Sequence, residues 1–481
     1  MMKRYALSSM IVVGSLATFG QTVLTVSEYD ALKSAGQLPE GNILIADGQN
    51  ATLTPRLGAP KDGACDCWIE PDATYSLAMY DNDDLYSERI ALPFTFNLLG
   101  QQYDSVYINN NGNVSFDAPY YTYTAEEFPS ANFVMVAPFW ADVDTRDTTY
   151  SDSTDHAHGQ VLYKITDHAM YVNWVDVGYF SQQGDKRNTF QLIMTDGTDP
   201  AIPGGNNVSF CYKDMQWTTG SASGGENGFG GSPATVGVNR GNGIDHTQIG
   251  RFGIDSDVYN GAYSDTSGIS WLDSTHFYVN TAGAGVPPVL GSDFDCDTMI
   301  VQIAGDQAHQ QSIVHRLIVI PGGPGQQVDL VMSAPTLPSL PALIIDPVDY
   351  IDMPFEINTT GAPVGTHYIT FTATSTNGLS SIYQVHVDVL GEVGIHEVAA
   401  SNFILAPNPA GDVVTLRWST ATAPSLIELV AVDGRIARTV RPANGISGSN
   451  IDLGGLGSGT YVVRITTAAG TRIMPLMHVA D

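Results

Sequence analysis

Positive charge is scarce in this 481-residue chain, which sets 20 Lys and Arg against 50 Asp and Glu for a formal net charge of −30. That balance argues against nucleic acid and anionic membrane surfaces as partners, because both are bound through Lys and Arg. Charge of either sign is modest at 15%, while hydrophobic residues reach 43%, enough for real cores rather than wholesale disorder. Cysteine is limited to Cys65, Cys67, Cys211 and Cys296. No spaced Cys/His set completes a tetrahedral zinc site. An even count allows disulfides whose connectivity the sequence leaves open. A Cys65–Cys67 bridge would close a very small, strained ring, which favours a long-range bridge from one of them to Cys211; buried free thiols are the alternative. No segment beyond the N-terminus is long and apolar enough to form a transmembrane span. A Gly-x-Ser-x-Gly elbow and an EF-hand loop are both missing.

What is present points outward from the cell. Lys3 and Arg4 precede a short apolar stretch, and Thr18 and Gly20 allow cleavage before Gln21, so residues 1–20 read as a secretory signal peptide. Residues 21–64 read as a polar lead-in with a short helix at 27–34, and no function is assigned to them. The length predicts several domains, on a prior of roughly 100–200 residues each. Abundant glycine (49) and proline (26) suit many short strands joined by turns.

The richest stretch is 103–146. Val106 and Ile108 alternate with polar neighbours, as in a half-buried strand. Asn110-Asn111-Gly112 reads as a tight turn, and Val114 and Phe116 resume the alternation. Val134, Val136, Phe139 and Trp140 form an apolar block around Pro138. Asp142 and Asp144 follow, on one side of the chain if it is extended. Upstream, 81–84 (Asp-Asn-Asp-Asp) reads as a surface turn, and Pro93 favours an edge position for the strand at 90–96. Downstream, 160–165, 170–178, 189–195 and 208–217 read as further strands. The Gly-rich stretch 221–231 has no helix behind it and reads as an ordinary loop.

These motifs, together with Asn188-Thr-Phe-Gln-Leu-Ile-Met-Thr-Asp196-Gly197, the segment 207–220 and Val236-Gly-Val-Asn-Arg240, resemble the NIDO domain, the extracellular module of nidogen and alpha-tectorin. The likeness spans roughly 90–281 and places a NIDO-like domain at 65–281. It implies an adhesive or structural surface role with no catalytic residues.

Residues 282–292, rich in Gly and Pro, read as a linker. A second β module follows at 293–391. Met299, Val301 and Ile303 alternate, as do Val328, Leu330 and Met332. Ile369, Phe371 and Ala373 pair with Tyr383, Val385, Val387 and Val389 across an Asn377-Gly378 turn. The pattern is that of an immunoglobulin-like sandwich and resembles the Ig-type spacers of bacterial surface proteins. The last module, 400–481, differs in charge: Arg417, Arg435, Arg438, Arg441, Arg464 and Arg472 balance Asp412, Glu428, Asp433, Asp452 and Asp481 within 401–481, which marks a separately built unit. Pro407-Asn408-Pro409, Gly434, Gly459 and Tyr461 sit in text that resembles the C-terminal sorting domain of type IX secretion cargo in Gram-negative bacteria. Ala406 stands where that family carries an aromatic. The resemblance implies passage across the outer membrane through the secretion machinery, and an extracellular or outer-surface location.

Three chemistries remain to be weighed. Asp142, Asp144 and Asp147, close to Asp152, Asp155, His156 and His158, are candidate calcium ligands, since Ca²⁺ gathers many oxygens; a solvated acidic loop is the commoner outcome. Asp142 and Asp144 also form the best glycosidase-like pair, with no second constellation to support it. Tyr120, Tyr121 and Tyr123 lie in a loop where they could stack on sugars or dock a protein, whereas Trp140 and Trp174 read as core. The sequence thus predicts an all-β, multidomain protein: a NIDO-like β module, an Ig-like β-sandwich and a small C-terminal β-sandwich. It predicts no enzyme and no cofactor except calcium. Its expected role is adhesion or matrix interaction at the cell surface, with extracellular matrix or a surface glycan or protein as partner. The alternative is a carbohydrate-binding or weakly carbohydrate-active surface protein.

Overall fold

Two-residue alternation builds the fold. The strand Gln101–Asn109 turns back on Asn113–Ser115 in antiparallel register, with Ile108 opposite Val114. Gly112 sits at φ +73° in the turn between them, in the left-handed region that glycine enters without a Cβ penalty. A Cβ there would also run into the Phe139 carbonyl. The computed structural model describes residues 22–39, 43–45, 68–146, 159–202, 204–293, 298–302, 312–390, 403–418, 423–431, 435–443, 445–467 and 470–479. The signal-peptide stretch 1–20, Cys65, Cys67, Asp147, Cys296 and Gly434 lie outside the described residues.

One seven-stranded sheet runs in the order Ser267–Gly268, His246–Ile254, Ala234–Asn239, Met135–Trp140, Asn113–Ser115, Gln101–Asn109, Ile90–Leu98. The Pro93 strand is at its edge, and the ladder is interrupted between Ala91 and Phe96, as a residue lacking an N–H requires. A ten-stranded sheet begins with Ser76–Leu77, Gln160–Ile165, Ala169–Tyr179, Gln183–Thr195, Val208–Met215 and His276–Val279. Phe96, Ile108, Val136 and Phe139 from the first sheet share a core with Trp174, Phe190, Phe210 and Tyr212 from the second. The Phe139 ring lies 5.5 Å from that of Phe190, and the Tyr212 hydroxyl donates to the Pro138 carbonyl at 2.6 Å.

The ten-stranded sheet does not stop at the stretch read as a linker. Val289–Ser292 pairs antiparallel with His276–Val279 on one side and with Ser312–Ile320 on the other. Ile351–Asn358 extends the sheet further. Gly and Pro at 283–288 do mark a break in pairing, but a four-residue strand is too short to show a period. Facing this extension is a five-stranded sheet in the order Thr298–Gln302, Ser380–Leu390, Gly365–Ser375, Val328–Ser333, Leu343–Val348. Its central hairpin has the expected pairing, Ile369 opposite Val385 and Phe371 opposite Tyr383. Phe355 meets Phe371 across the two sheets at 5.1 Å. The described residues of Met1–Val301 and His309–Val389 form one compact unit.

The described residues of Gln302–Ala308 and Leu390–Asp481 form a second unit. Its three-stranded sheet runs Phe403–Ala406, Val413–Trp418, Gly448–Asp452, and its four-stranded sheet runs Ile436–Val440, Leu426–Ala431, Gly459–Thr467, Gly470–His478. Val414, Leu416, Ile427, Val463, Ile465 and Leu476 fill the core. Among the described residues, no helix is long and apolar enough to cross a membrane.

Because one sheet spans both β modules of the larger unit, calorimetry of the chain is expected to melt them in a single transition. Ile318 is fully buried in the extension and belongs to the core shared with the first module. Ile318→Ala should cost about 2–5 kcal/mol and lower that transition as a whole. Two separable transitions, only one of them shifted, would contradict it.

Candidate functional site

The site begins in the segment to which the sequence assigned no function. Thr25 caps the helix Val26–Ser34 in a capping box with Glu28: Thr25 Oγ1 accepts from the Glu28 N–H at 3.3 Å, and the Thr25 N–H donates to Glu28 Oε2 at 3.0 Å. Tyr29 and Lys33, four residues apart and so on one face, are its buried residues. Lys33 is only 1% exposed. Its Nζ lies 2.7 Å from Asp83 Oδ2, 2.9 Å from Asp84 Oδ2 and 2.6 Å from Asp142 Oδ1. The rings of Phe180 and Tyr123 wall the ammonium at 4.2 and 4.4 Å, within cation–π range. The Tyr29 hydroxyl donates to Asp84 Oδ2.

The stretch 81–84 is therefore no surface turn: Asn82, Asp83 and Asp84 are all buried. A run of acids ordinarily stays in water because burying a charge is costly unless it is paired. Here the pairing cation comes from a distant part of the chain. The Asn110-Asn111-Gly112 turn holds the carboxylates in place. Asn111 Nδ2 donates to Asp84 Oδ1 at 2.7 Å, Asn111 Oδ1 accepts from the Val143 N–H at 3.0 Å, and Asn110 Nδ2 donates to the carbonyls of Asp83 and Val143. Trp174 Nε1 caps the turn from the opposite sheet, donating to the Asn110 carbonyl at 3.1 Å.

Asp142 and Asp144 do not share a partner. Asp142 faces Lys33, while Asp144 takes a two-pronged pair from Arg146, Nε at 2.9 Å and Nη2 at 2.7 Å. Arg146 also reaches Asp30 of the helix at 3.0 Å, and Gln182 joins Asp30 at 3.1 Å. Both carboxylates are fully covered, so the glycosidase-like pair opens onto no cleft. The Gly-rich stretch after Trp217 takes part as well: a Cβ on Gly220 would run into Asp142 Oδ2.

Electrostatics follow from this crowding. Burial raises Asp142 to about 7, with Asp84 and Asp144 pushing the same way and Lys33 opposing. Burial likewise lifts Asp83 well above the usual carboxylate range, helped by Asp84. Burial works against the Lys33 ammonium, but Asp142, Asp83 and Asp84 outweigh it and hold it protonated.

The other candidates scatter. Tyr120 is half-buried, edge-on to Phe133 at 5.0 Å, and its oxygen accepts from the Val134 N–H. Tyr121 is 44% exposed. Tyr123 alone of the three reaches the Lys33 site. Cys211 is buried and disulfide-bonded. In the second unit Asn408 ties the Pro407–Pro409 loop to the last strand, donating to the Pro475 carbonyl and accepting from the Met477 N–H, both at 2.9 Å. The Tyr461 hydroxyl donates to the Gly457 carbonyl at 2.8 Å, and Gly459 opens the adjoining strand. Lys33 was missed because it is a single polar residue in a polar segment. Two signals could have found it: the capping box ahead of Tyr29 and Lys33, and its standing as the sole basic residue between Arg4 and Arg56.

A second concavity, about 610 Å³, lies where the sheet extension meets the first module. Tyr259, Asn260, Tyr263, Gln326, Asp349 and Tyr350 line it. Tyr350 is 37% exposed and edge-on to Tyr259 at 5.1 Å.

Residues 104–284 match the nidogen-like domain family, and residues 405–476 match the secretion system C-terminal sorting domain. The chain carries a nidogen-like domain and a secretion-sorting tail. Human alpha-tectorin is 33% identical over 179 residues, which is 33% of this chain and 8% of that protein. Drosophila melanogaster nidogen is 27% identical over 148 residues, 26% of this chain and 10% of that protein. The chain thus spans a tenth or less of these relatives. Among solved structures, the Salmonella enterica SafA pilin in complex with the SafB chaperone shares 15% identity over 38% of this chain and 93% of that chain, at a TM-score of 0.14. Asp142 and Arg146 fall inside the nidogen-like match, whereas Lys33, Asp83 and Asp84 precede it. The sorting domain implies export to the outer surface and interaction with the secretion machinery.

The raised carboxylates set a pH dependence. Folded Asp142 holds its proton up to about 7, against an ordinary value of 3.8. Across that window the native state binds more protons than the unfolded state, so this contribution to stability is full below the window and is lost as pH rises through it. Asp83 acts in the same direction. Lys33 and Arg146 stay charged throughout. Melting temperature measured from pH 4 to 8 should carry a downward component that Asp142→Asn flattens; an identical slope in the variant would contradict this.

Proposed function

We infer that this chain is an exported surface or secreted protein whose nidogen-like domain mediates adhesion or matrix interaction, delivered by its sorting tail. One observation carries it: a nidogen-like domain and a C-terminal sorting domain occur in the same chain. Both families are non-catalytic, and the buried state of Asp142 and Asp144 supports a binding role over hydrolysis. Removing residues 401–481 should leave the protein in the periplasm, read by fractionation and by protease accessibility on intact cells. Normal display of the shortened chain would overturn the delivery role. Solid-phase binding to the producer's extracellular matrix should saturate without turnover; no retention would overturn the adhesive one.

A second reading, carbohydrate binding, is favoured by the groove at Tyr350. Its volume lies within the usual range for ligand sites, roughly 300–1,000 Å³. Exposed tyrosine beside Asn, Gln and Asp is the chemistry of sugar recognition, a stacking face rimmed by amide and carboxylate hydrogen-bonding groups. Tyr350→Ala should reduce retention on a glycan array at least about tenfold, or about 1.4 kcal/mol, while leaving matrix binding through the nidogen-like domain unchanged. Unaltered glycan retention would remove this reading.

A further inference from the structure

The Lys33 ammonium sits where a metal ion would sit. Asp83, Asp84 and Asp142 each offer an oxygen, and the three lie within 4.8 Å of one another. An ammonium already touches all three at 2.6–2.9 Å. Calcium–oxygen distances are about 2.3–2.6 Å, so the same oxygens need close in by only a few tenths of an ångström. Two further oxygens, Asp83 Oδ1 and Asp142 Oδ2, are buried and without a hydrogen-bond partner, on side chains with no exposure. A buried carboxylate oxygen with no donor is costly. Here two of them belong to the groups that already surround a cation.

Charge agrees with geometry. Five carboxyl groups, Asp30, Asp83, Asp84, Asp142 and Asp144, face two cations, Lys33 and Arg146, whose Nη2 also lies 3.6 Å from Asp83 Oδ2. A divalent cation brings more positive charge to the three oxygens than a single ammonium does, and so favours their ionised form. Every donor is oxygen, which selects hard cations over zinc or copper, and calcium tolerates irregular, many-oxygen shells better than magnesium does. Asp84 is held from outside the helix by Asn111 as well as from the helix by Tyr29, and Asp142 leaves no room for a side chain at Gly220. The Asn111 hydrogen bonds to Asp84 and Val143 do not involve Lys33 and remain when it leaves.

We propose that the Asp83–Asp84–Asp142 socket is a cation site with two mutually exclusive occupants. One is the Lys33 ammonium, which closes it from within the chain; the other is a hard divalent cation of the calcium class. The helix Val26–Ser34 is then an internal plug, and calcium outside the cell competes with it. This stands apart from the adhesive reading, since it concerns occupancy of the socket and requires no matrix partner.

The test uses the full chain and CaCl₂ alone as probe, by titration calorimetry after chelator treatment and at matched ionic strength. Lys33→Met should bind a single equivalent of Ca²⁺ at least about tenfold more tightly than the unaltered protein, because the competing ammonium is gone. Ca²⁺ should also raise its melting temperature, as ligand linkage requires. Adding Asp142→Asn to that variant should weaken binding at least about tenfold. Lys33→Met binding Ca²⁺ no more tightly than the unaltered protein, or binding that survives Asp142→Asn, overturns the proposal. If Lys33→Met does not fold, the unaltered chain decides the matter through amine-reactive labelling read by mass spectrometry. Labelling of Lys33 should rise severalfold in about 1–10 mM Ca²⁺, the affinity range of extracellular calcium modules and somewhat above it. Protection of Lys33 unchanged from a NaCl control overturns the proposal.

Discussion

Lys33 brings its ammonium within 2.9 Å of three interior carboxylates, and the cost of burying those carboxylates governs what surrounds them. An unpaired buried charge is worth several kcal/mol of destabilisation, and donors, cations and aromatic faces gather round the three carboxylates. Asn110 and Asn111 belong to this shell. Their turn looks like a loop tip in sequence, yet both side chains are buried and anchor the acidic loops by hydrogen bonds. Arg146 repeats the logic one layer out, holding Asp144 and reaching back to Asp30 on the helix that carries Lys33. Helix, acidic loops and turn are thus mutually dependent through electrostatics, while the two sheets behind them are held by Phe139, Trp174, Phe190 and Tyr212.

The sheet that supports this site continues into the next module. Val289–Ser292 supplies hydrogen bonds to both sides, so the nidogen-like part and the β module after it share a backbone ladder as well as a surface. The tyrosine-lined groove exists because of that continuity, since residues of both parts wall it. The sorting unit is built differently, with its own core and a near-neutral charge in an otherwise strongly acidic chain. That difference marks a separately built unit.

Much of the fold was legible. Strands with clean alternation, such as those carrying Val106 and Ile108 or Phe371 and Ala373, announce their inward face, because a period of two puts like residues on one side. Asn-Gly turns and Pro93 announce backbone geometry. The site was far less legible. Local composition at 81–84 reads as solvated, and nothing within those residues reveals a lysine some fifty positions earlier. Asp142 and Asp144 share a side only in an extended chain. In the fold they take different cations, Asp142 the Lys33 of a distant helix and Asp144 the Arg146 two residues on.

The sequence by itself determined what is local: all-β architecture, the two recognisable modules, the turn chemistry, the capping box at Thr25, and a strongly acidic charge balance. These follow from periodicity, backbone preference and composition, which act within a few residues. The tertiary structure alone decided which acids are buried, that Lys33 meets Asp83, Asp84 and Asp142, and that the Gly/Pro stretch adjoins a sheet strand. Those outcomes depend on the pairing of distant charges and on hydrogen bonds between separate strands, energies that come into being only when the chain closes on itself.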